Sequence, residues 1–151
     1  MITDSAIAPK PPVFTLIGKL LSRDPQASRI GVLGSVEAGF PSPAEEELVD
    51  TISLDDLLIQ NRDASFLLRV SGDSMTGAGI MPGDMVIVDK GQTPKSGDIV
   101  IAQVDGEWTM KYLRKRGDDV VLVAANPKYQ PIRPKNELKI SGVVTAVVRK
   151  Y

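Results

Sequence analysis

One serine and one lysine are the residues of this chain that could be combined into a catalytic site. Ser74 lies in the segment Gly72-Asp73-Ser74-Met75, and Lys111 lies further along in an apolar, strand-like segment. The sequence has 151 residues, without histidine or cysteine. Because a serine nucleophile usually takes its base from histidine and a thiol nucleophile needs cysteine, a Ser-Lys dyad is the economical arrangement that remains.

Each of the two residues also has a simpler interpretation. A serine among Gly, Asp and Thr residues is usually only a turn former, and a lysine on a hairpin strand can extend into solvent. A lysine with its ordinary pKa of about 10.4 is protonated and cannot act as a base, but burial lowers that pKa. The apolar neighbours Met110, Tyr112 and Leu113 favour burial of Lys111. Backbone N–H groups of the turn around Ser74 could stabilise an oxyanion.

The elements around these residues predict a mainly β fold, with twisted antiparallel strands and one short helix. Ser53 is a helix N-cap candidate, because acidic residues and paired leucines follow it. Asp105-Gly106 predicts a type I′ hairpin turn, which puts Lys111 on the second strand of the hairpin. The predicted strands are short, rich in Val, Ile and Leu, and span residues 66–70, 84–89, 98–104, 107–113, 119–124 and 139–148.

The chain divides by composition into an arm, residues 1–38, and a β-rich domain, residues 39–151, which carries the candidate Ser-Lys dyad. The arm has early prolines, one apolar run and the Gly/Ser-rich stretch 31–35, which together are typical of a flexible segment. Two prolines in the segment 38–43 favour an extended backbone, the form in which a protease cleft binds a peptide. The alternative is that this segment is only a linker into the domain.

Charge and hydropathy exclude several classes of partner. With 18 basic and 19 acidic residues, the chain lacks the positive field that direct, sequence-specific DNA binding needs. The basic run 111–116 is typical of a solvated hairpin end, and a nucleic-acid patch is the alternative. The apolar run 13–21 is too short to span a bilayer, and it does not fit a secretory signal, because the residues before it carry Asp4 with Lys10 as their one basic side chain. We therefore expect a cytoplasmic protein without a metal or cofactor.

Three motifs in order extend the Ser-Lys hypothesis. They are S-G-D-S-M, then G-I-M-P-G-D-M-V-I-V-D, then G-D-I-V-I-A-Q-V-D-G-E-W-T-M-K, with a fitting distance between Ser74 and Lys111. This succession resembles the LexA-like self-cleaving serine peptidases, and among them the UmuD-like SOS mutagenesis proteins. The resemblance covers about residues 38 to 148.

The resemblance implies a function. Ser74 would be the nucleophile, Lys111 the general base, and the bond between Ala38 and Gly39 the self-cleavage site. A RecA filament on single-stranded DNA would stimulate the cleavage. The trimmed homodimer would then join a Y-family, UmuC-like polymerase subunit as the accessory subunit of an error-prone translesion polymerase.

Two features of the sequence depart from the family pattern. Ala38 stands where UmuD relatives often have cysteine, and the arm before it is longer than expected.

Three other functions compete with this interpretation. A LexA-type repressor would need a helix-turn-helix module, for which the arm is short and rich in proline. A membrane signal peptidase, which has a similar Ser-Lys dyad, needs a membrane segment. The third alternative is a non-catalytic polymerase-binding module of the same fold.

Overall fold

A computed structural model describes residues 14–19, 29–33 and 48–151. One five-residue α-helix, α1 (Leu54–Leu58), lies between strands in this part of the chain. The strands are β1 (Phe14–Lys19), β2 (Arg29–Leu33), β3 (Leu48–Ser53), β4 (Ser65–Val70), β5 (Met85–Asp89), β6 (Ile99–Val104), β7 (Glu107–Arg116), β8 (Asp119–Val123) and β9 (Leu138–Val148).

Seven strands form one antiparallel sheet in the order β1-β4-β5-β9-β6-β7-β8. A second sheet pairs β2 with β3. The buried apolar residues of the described part of the chain form two clusters: one includes Met75, Ile80 and Val86, and the other includes Leu113 and Leu122. The predicted mainly β, antiparallel fold with one short helix is therefore confirmed.

The N-cap of α1 and the turn between β6 and β7 have the geometry that the sequence predicted. The side chain of Ser53 caps α1 by accepting from the Asp56 amide at 3.0 Å, as the N-cap pattern predicted. Asp105 and Gly106 have φ angles of 47° and 89°, which the predicted type I′ turn requires. Strand β7 is longer than predicted, because pairing with β8 continues to Arg116.

Two stretches assigned to the arm contain strands. Strand β1, within the arm's apolar run, pairs with β4 at the edge of the large sheet. Strand β2 overlaps the Gly/Ser-rich stretch and pairs with β3, a strand that was not predicted. Such pairing depends on partners distant in the sequence, so composition alone does not reveal it. The proposed cleavage site, Ala38-Gly39, lies outside the described residues, and the boundary at residue 38 stays a prediction.

Candidate functional site

Ser74 lies in the connection that leaves β4, and its position is fixed by the residue that follows it. Met75 is 1% exposed and packs in the first core cluster together with Ile80. The backbone then forms a short 3-10 turn, Thr76–Ala78, and the amide of Ile80 donates to the Met75 carbonyl at 3.2 Å. Burial of Met75 therefore anchors the turn while Ser74 lies at the wall of a cleft.

Lys111 reaches the same cleft from β7, at the point where that strand enters the core. The side chain is only 5% exposed, and its neighbours Thr109 and Met110 are also buried. The interpretation of Lys111 as a solvent-directed hairpin lysine is therefore wrong. By contrast, residues 114–116 of the basic run are exposed, as expected for a hairpin end.

The two candidate catalytic side chains are in direct contact. Lys111 Nζ lies 3.0 Å from Ser74 Oγ, which is hydrogen-bonding distance. The same nitrogen donates to Thr109 Oγ1 at 2.6 Å and to the Met110 carbonyl at 3.1 Å. The Ser74 hydroxyl has a longer contact, 3.4 Å, with that carbonyl. Three oxygens of the described residues thus lie within hydrogen-bonding distance of the nitrogen, and one of them is the oxygen of the candidate nucleophile.

The cleft beside the dyad has room for a peptide. Its volume is about 500 Å³. Within the described part of the chain, the backbone N–H groups of Ser74 and Met75 donate to no other backbone group, and N–H groups of such a turn can stabilise an oxyanion. The cleft is lined by Gly72, Ser74, Val104, Asp105, Glu107, Trp108, Thr109, Lys111, Tyr129, Gln130 and Ile132.

A segment that the sequence gave no reason to single out, residues 125–129, supports the Ser74 turn. The Gly77 amide donates to the Ala125 carbonyl at 2.6 Å, and Asn126 Nδ2 donates to the Asp73 carbonyl at 2.9 Å. The Tyr129 hydroxyl donates to the Asp73 carboxylate, which also lies 3.6 Å from the Lys128 ammonium. These residues are separated from the turn by about 50 positions, so only the fold brings them together.

The charge states of Asp73 and Tyr129 follow from the hydrogen bond between them. The bond from Tyr129, followed by the nearby charge of Lys128, holds the pKa of Asp73 below its ordinary value. Conversely, the Asp73 carboxylate raises the pKa of Tyr129 above its ordinary value, because it favours the protonated phenol. The donor is therefore protonated and the acceptor ionised at neutral pH.

The described residues include neither a cluster of metal-ligating side chains nor a helix that could span a membrane. No group of three or more acidic, His or Cys side chains in this part of the chain could hold a metal ion. None of the helices found there is long and apolar enough to cross a membrane.

Comparison with known proteins assigns the chain to a family. The protein SamA of Salmonella typhimurium is 43% identical over 113 residues, which are 75% of this chain and 79% of SamA. The protein ImpA of Escherichia coli is 41% identical over 115 residues, 76% of this chain and 79% of ImpA. The LexA repressor of Acidothermus cellulolyticus is 38% identical over 130 residues, but these are only 46% of that repressor. A model of the peptidase S24-like family matches residues 31–145, so this LexA- and UmuD-like chain belongs to that family.

Proposed function

We propose that the chain is a serine peptidase that cleaves its own Ala38-Gly39 bond, with Ser74 as nucleophile and Lys111 as general base. The observation that carries the proposal is the 3.0 Å contact between Ser74 Oγ and a buried lysine nitrogen. Membership of the S24-like family supports the same chemistry.

The surroundings of Lys111 suit a neutral amine. Burial disfavours an ammonium because the charge loses its hydration. A neutral amine has two N–H groups and one lone pair. The Thr109 hydroxyl and the Met110 carbonyl can accept the two N–H groups, at 2.6 and 3.1 Å. The lone pair then faces the Ser74 hydroxyl and can accept its proton.

The reaction proceeds in two steps. Lys111 takes the proton of Ser74 while Oγ attacks the carbonyl carbon of Ala38, and the amides of Ser74 and Met75 stabilise the oxyanion. Protonated Lys111 then gives its proton to the departing amine of Gly39, which leaves an ester on Ser74. A water molecule, deprotonated by Lys111, hydrolyses the ester. Because the cleaved segment belongs to the same chain, its effective concentration is high.

Intact mass spectrometry tests this function. The purified chain is incubated at pH 7 and at pH 10, with and without RecA assembled on single-stranded DNA. We expect fragments 1–38 and 39–151, formed faster at pH 10 and faster with RecA, and no cleavage in Ser74→Ala. Ser96→Ala is the matched control, because Ser96 only accepts from the Lys115 amide away from the cleft. An uncut wild-type chain under every condition would favour the non-catalytic module.

The role of the cleaved form follows the UmuD-like resemblance. We propose that residues 39–151 form a homodimer that binds a Y-family, UmuC-like polymerase subunit as the accessory subunit of a translesion polymerase. The similarity to SamA and ImpA supports this choice, because it covers more of those proteins than of the LexA repressor. Sedimentation of the cleaved protein with and without such a subunit tests both points. Tight, sequence-specific binding to an operator-like DNA duplex would favour the repressor alternative instead.

A further inference from the structure

We propose that Tyr129 is a positioning residue for the Ser-Lys dyad, a role that rests on the proposed self-cleavage and deepens it. Tyr129 holds the turn that carries Ser74 in register with the strand that carries Lys111. It does so through two different parts of its side chain, the hydroxyl and the ring.

The two contacts of Tyr129 join the two halves of the dyad. Its hydroxyl donates a hydrogen bond to the carboxylate of Asp73, the residue directly before the nucleophile. Its ring lies over Lys111 Nζ, which is 5.7 Å from the ring centroid. Ser74 and Lys111 come from separate elements of the fold, so a side chain that contacts both sides limits changes in their separation.

Tyr129 is itself held in place, although its side chain is 43% exposed. Its amide donates to the Asn126 carbonyl at 3.1 Å, which closes a turn. The side chain of Asn126 donates to the Asp73 carbonyl at 2.9 Å. After the turn, Ile132 pairs with Leu122 of β8 through two backbone hydrogen bonds. The tyrosine is therefore fixed to the sheet on one side and to the Ser74 turn on the other.

The charges around Tyr129 keep its bond to Asp73 intact at neutral pH. Lys128 is the cation beside the pair and Asp73 is the anion, while the Lys111 nitrogen lies over the face of the ring. A hydrogen bond from a phenol to a carboxylate is charge-assisted, which makes it stronger than a bond between neutral groups. This strength lets one exposed tyrosine restrain the turn.

A substitution that removes only the hydroxyl tests the proposal. Two rates are measured for Tyr129→Phe: self-cleavage, and labelling of Ser74 by a small phosphonofluoridate. In the labelling reaction Oγ displaces fluoride from phosphorus and Lys111 takes the proton, so the rate reports on the dyad without the docked segment. A displacement of about 1 Å can slow an enzyme about 100-fold. We expect both rates to fall by about tenfold. Tyr112→Phe is the matched control: Tyr112 adjoins Lys111 on β7, and among the described residues its hydroxyl makes no hydrogen bond to the Ser74 turn. Both of its rates should be unchanged.

A double-mutant cycle shows whether Tyr129 acts through Asp73. We expect Asp73→Ala to slow both reactions, and the double variant to be no slower than Asp73→Ala alone. Each single variant removes the contact from one side, so one of them still tests the contact if the other has lost its fold. Unchanged rates in Tyr129→Phe, additive effects in the cycle, or slower self-cleavage with normal labelling would each overturn the positioning role. A wild-type chain that is labelled but never cleaves itself would contradict the proposed function, while the labelling rates would still decide the role of Tyr129.

Discussion

At the scale of single residues, the dyad depends on how the Lys111 nitrogen is oriented. The shortest of its contacts is to Thr109 Oγ1, at 2.6 Å, and that side chain precedes Lys111 by two positions on the same strand. Residues two apart on a strand lie on the same face, so Thr109 is well placed to direct the amine toward Ser74. The threonine hydroxyl takes no part in the bond-breaking steps, so its contribution to the cleavage rate can be measured separately from that of Ser74 and Lys111.

Replacing Thr109 by valine should therefore slow self-cleavage by about tenfold, because the shape is kept and the hydroxyl is lost. Thr109→Ser, which keeps the hydroxyl, should stay close to the wild-type rate. Thr145→Val is the control, since the Thr145 hydroxyl bonds the Ile87 carbonyl away from the cleft. The rates are measured by gel densitometry at one alkaline pH. A Thr109→Val rate equal to that of wild type would mean that Thr109 does not orient the amine.

The pH dependence of self-cleavage follows from the protonation of Lys111. Only the neutral amine can take the proton of Ser74, so the rate should rise as the pH increases and then level off once the amine is deprotonated. Lys111→Arg should be inactive throughout, because a guanidinium stays protonated at every accessible pH. Rates between pH 6 and pH 10.5 test this. A wild-type rate independent of pH would contradict lysine as the base.

The sequence predicted Ser74 and Lys111 but not the residues that hold them. Ser74 and Lys111 lie in local motifs that can be read directly. Asn126 and Tyr129 have no comparable signal, because an asparagine and a tyrosine near a proline are ordinary loop residues. Their contacts with Asp73 form only when the chain after β8 folds back onto the Ser74 turn.

At the scale of elements, the Ser74 turn and the segment after β8 approach each other closely at Gly77. A Cβ atom on Gly77 would lie 2.5 Å from the Ala125 carbonyl oxygen, closer than real Cβ contacts occur. The same backbone pair forms the 2.6 Å hydrogen bond from Gly77 to Ala125. A side chain at position 77 would therefore push the turn away from its support.

Gly77→Ala should lower the free energy of unfolding by about 2 kcal/mol, through the clash and the lost hydrogen bond. It should also slow self-cleavage, because the turn carries Ser74. Gly142→Ala is a matched control: a Cβ there would lie 2.5 Å from Val88 Cγ1 in the core of the sheet, away from the cleft. We expect it to lower stability while leaving the cleavage rate of the folded protein unchanged. Urea denaturation and cleavage rates give the comparison, and equal cleavage losses in both variants would refute the local effect.

Strands with a clear local sequence pattern could be predicted, whereas strands that form only by pairing with a distant segment could not. Strands β4 to β9 are apolar runs bounded by turn residues, and their predicted bounds agree with the structure to within a few residues. Strand β2 contains a glycine and overlaps the Gly/Ser-rich stretch, so its composition indicates a loop, and only its pairing with β3 makes it a strand.

At the scale of the whole molecule, the order of strands in the large sheet is not the order in the chain. The last strand, β9, lies between β5 and β6. Such an insertion comes from long-range pairing, which no local pattern encodes. One consequence is that the end of β9 meets the start of β5, where Arg149 and Asp84 form a bidentate ion pair with two contacts of 2.6 Å.

This ion pair should make the stability of the fold sensitive to acid. Asp84 is 3% exposed, and it also accepts from the Met81 amide at 2.7 Å. The bond from Arg149 holds the pKa of Asp84 below its ordinary value of 3.8. Because the folded-state pKa is the lower one, the stabilisation is complete above about pH 5 and disappears as the pH falls through the folded-state pKa.

Asp84→Asn should therefore cost about 2 kcal/mol at pH 7, or a fall in Tm of about 4–8 °C, and progressively less as the pH falls below 4. Asp119→Asn is the control, because Asp119 pairs with Arg133 on the surface, where both side chains are more than half exposed. Its effect on Tm should be small at every pH. Thermal unfolding followed by circular dichroism from pH 2.5 to pH 7 measures both variants. A loss in Asp84→Asn that stays constant over this range would mean that the carboxylate charge does not stabilise the closure between β5 and β9.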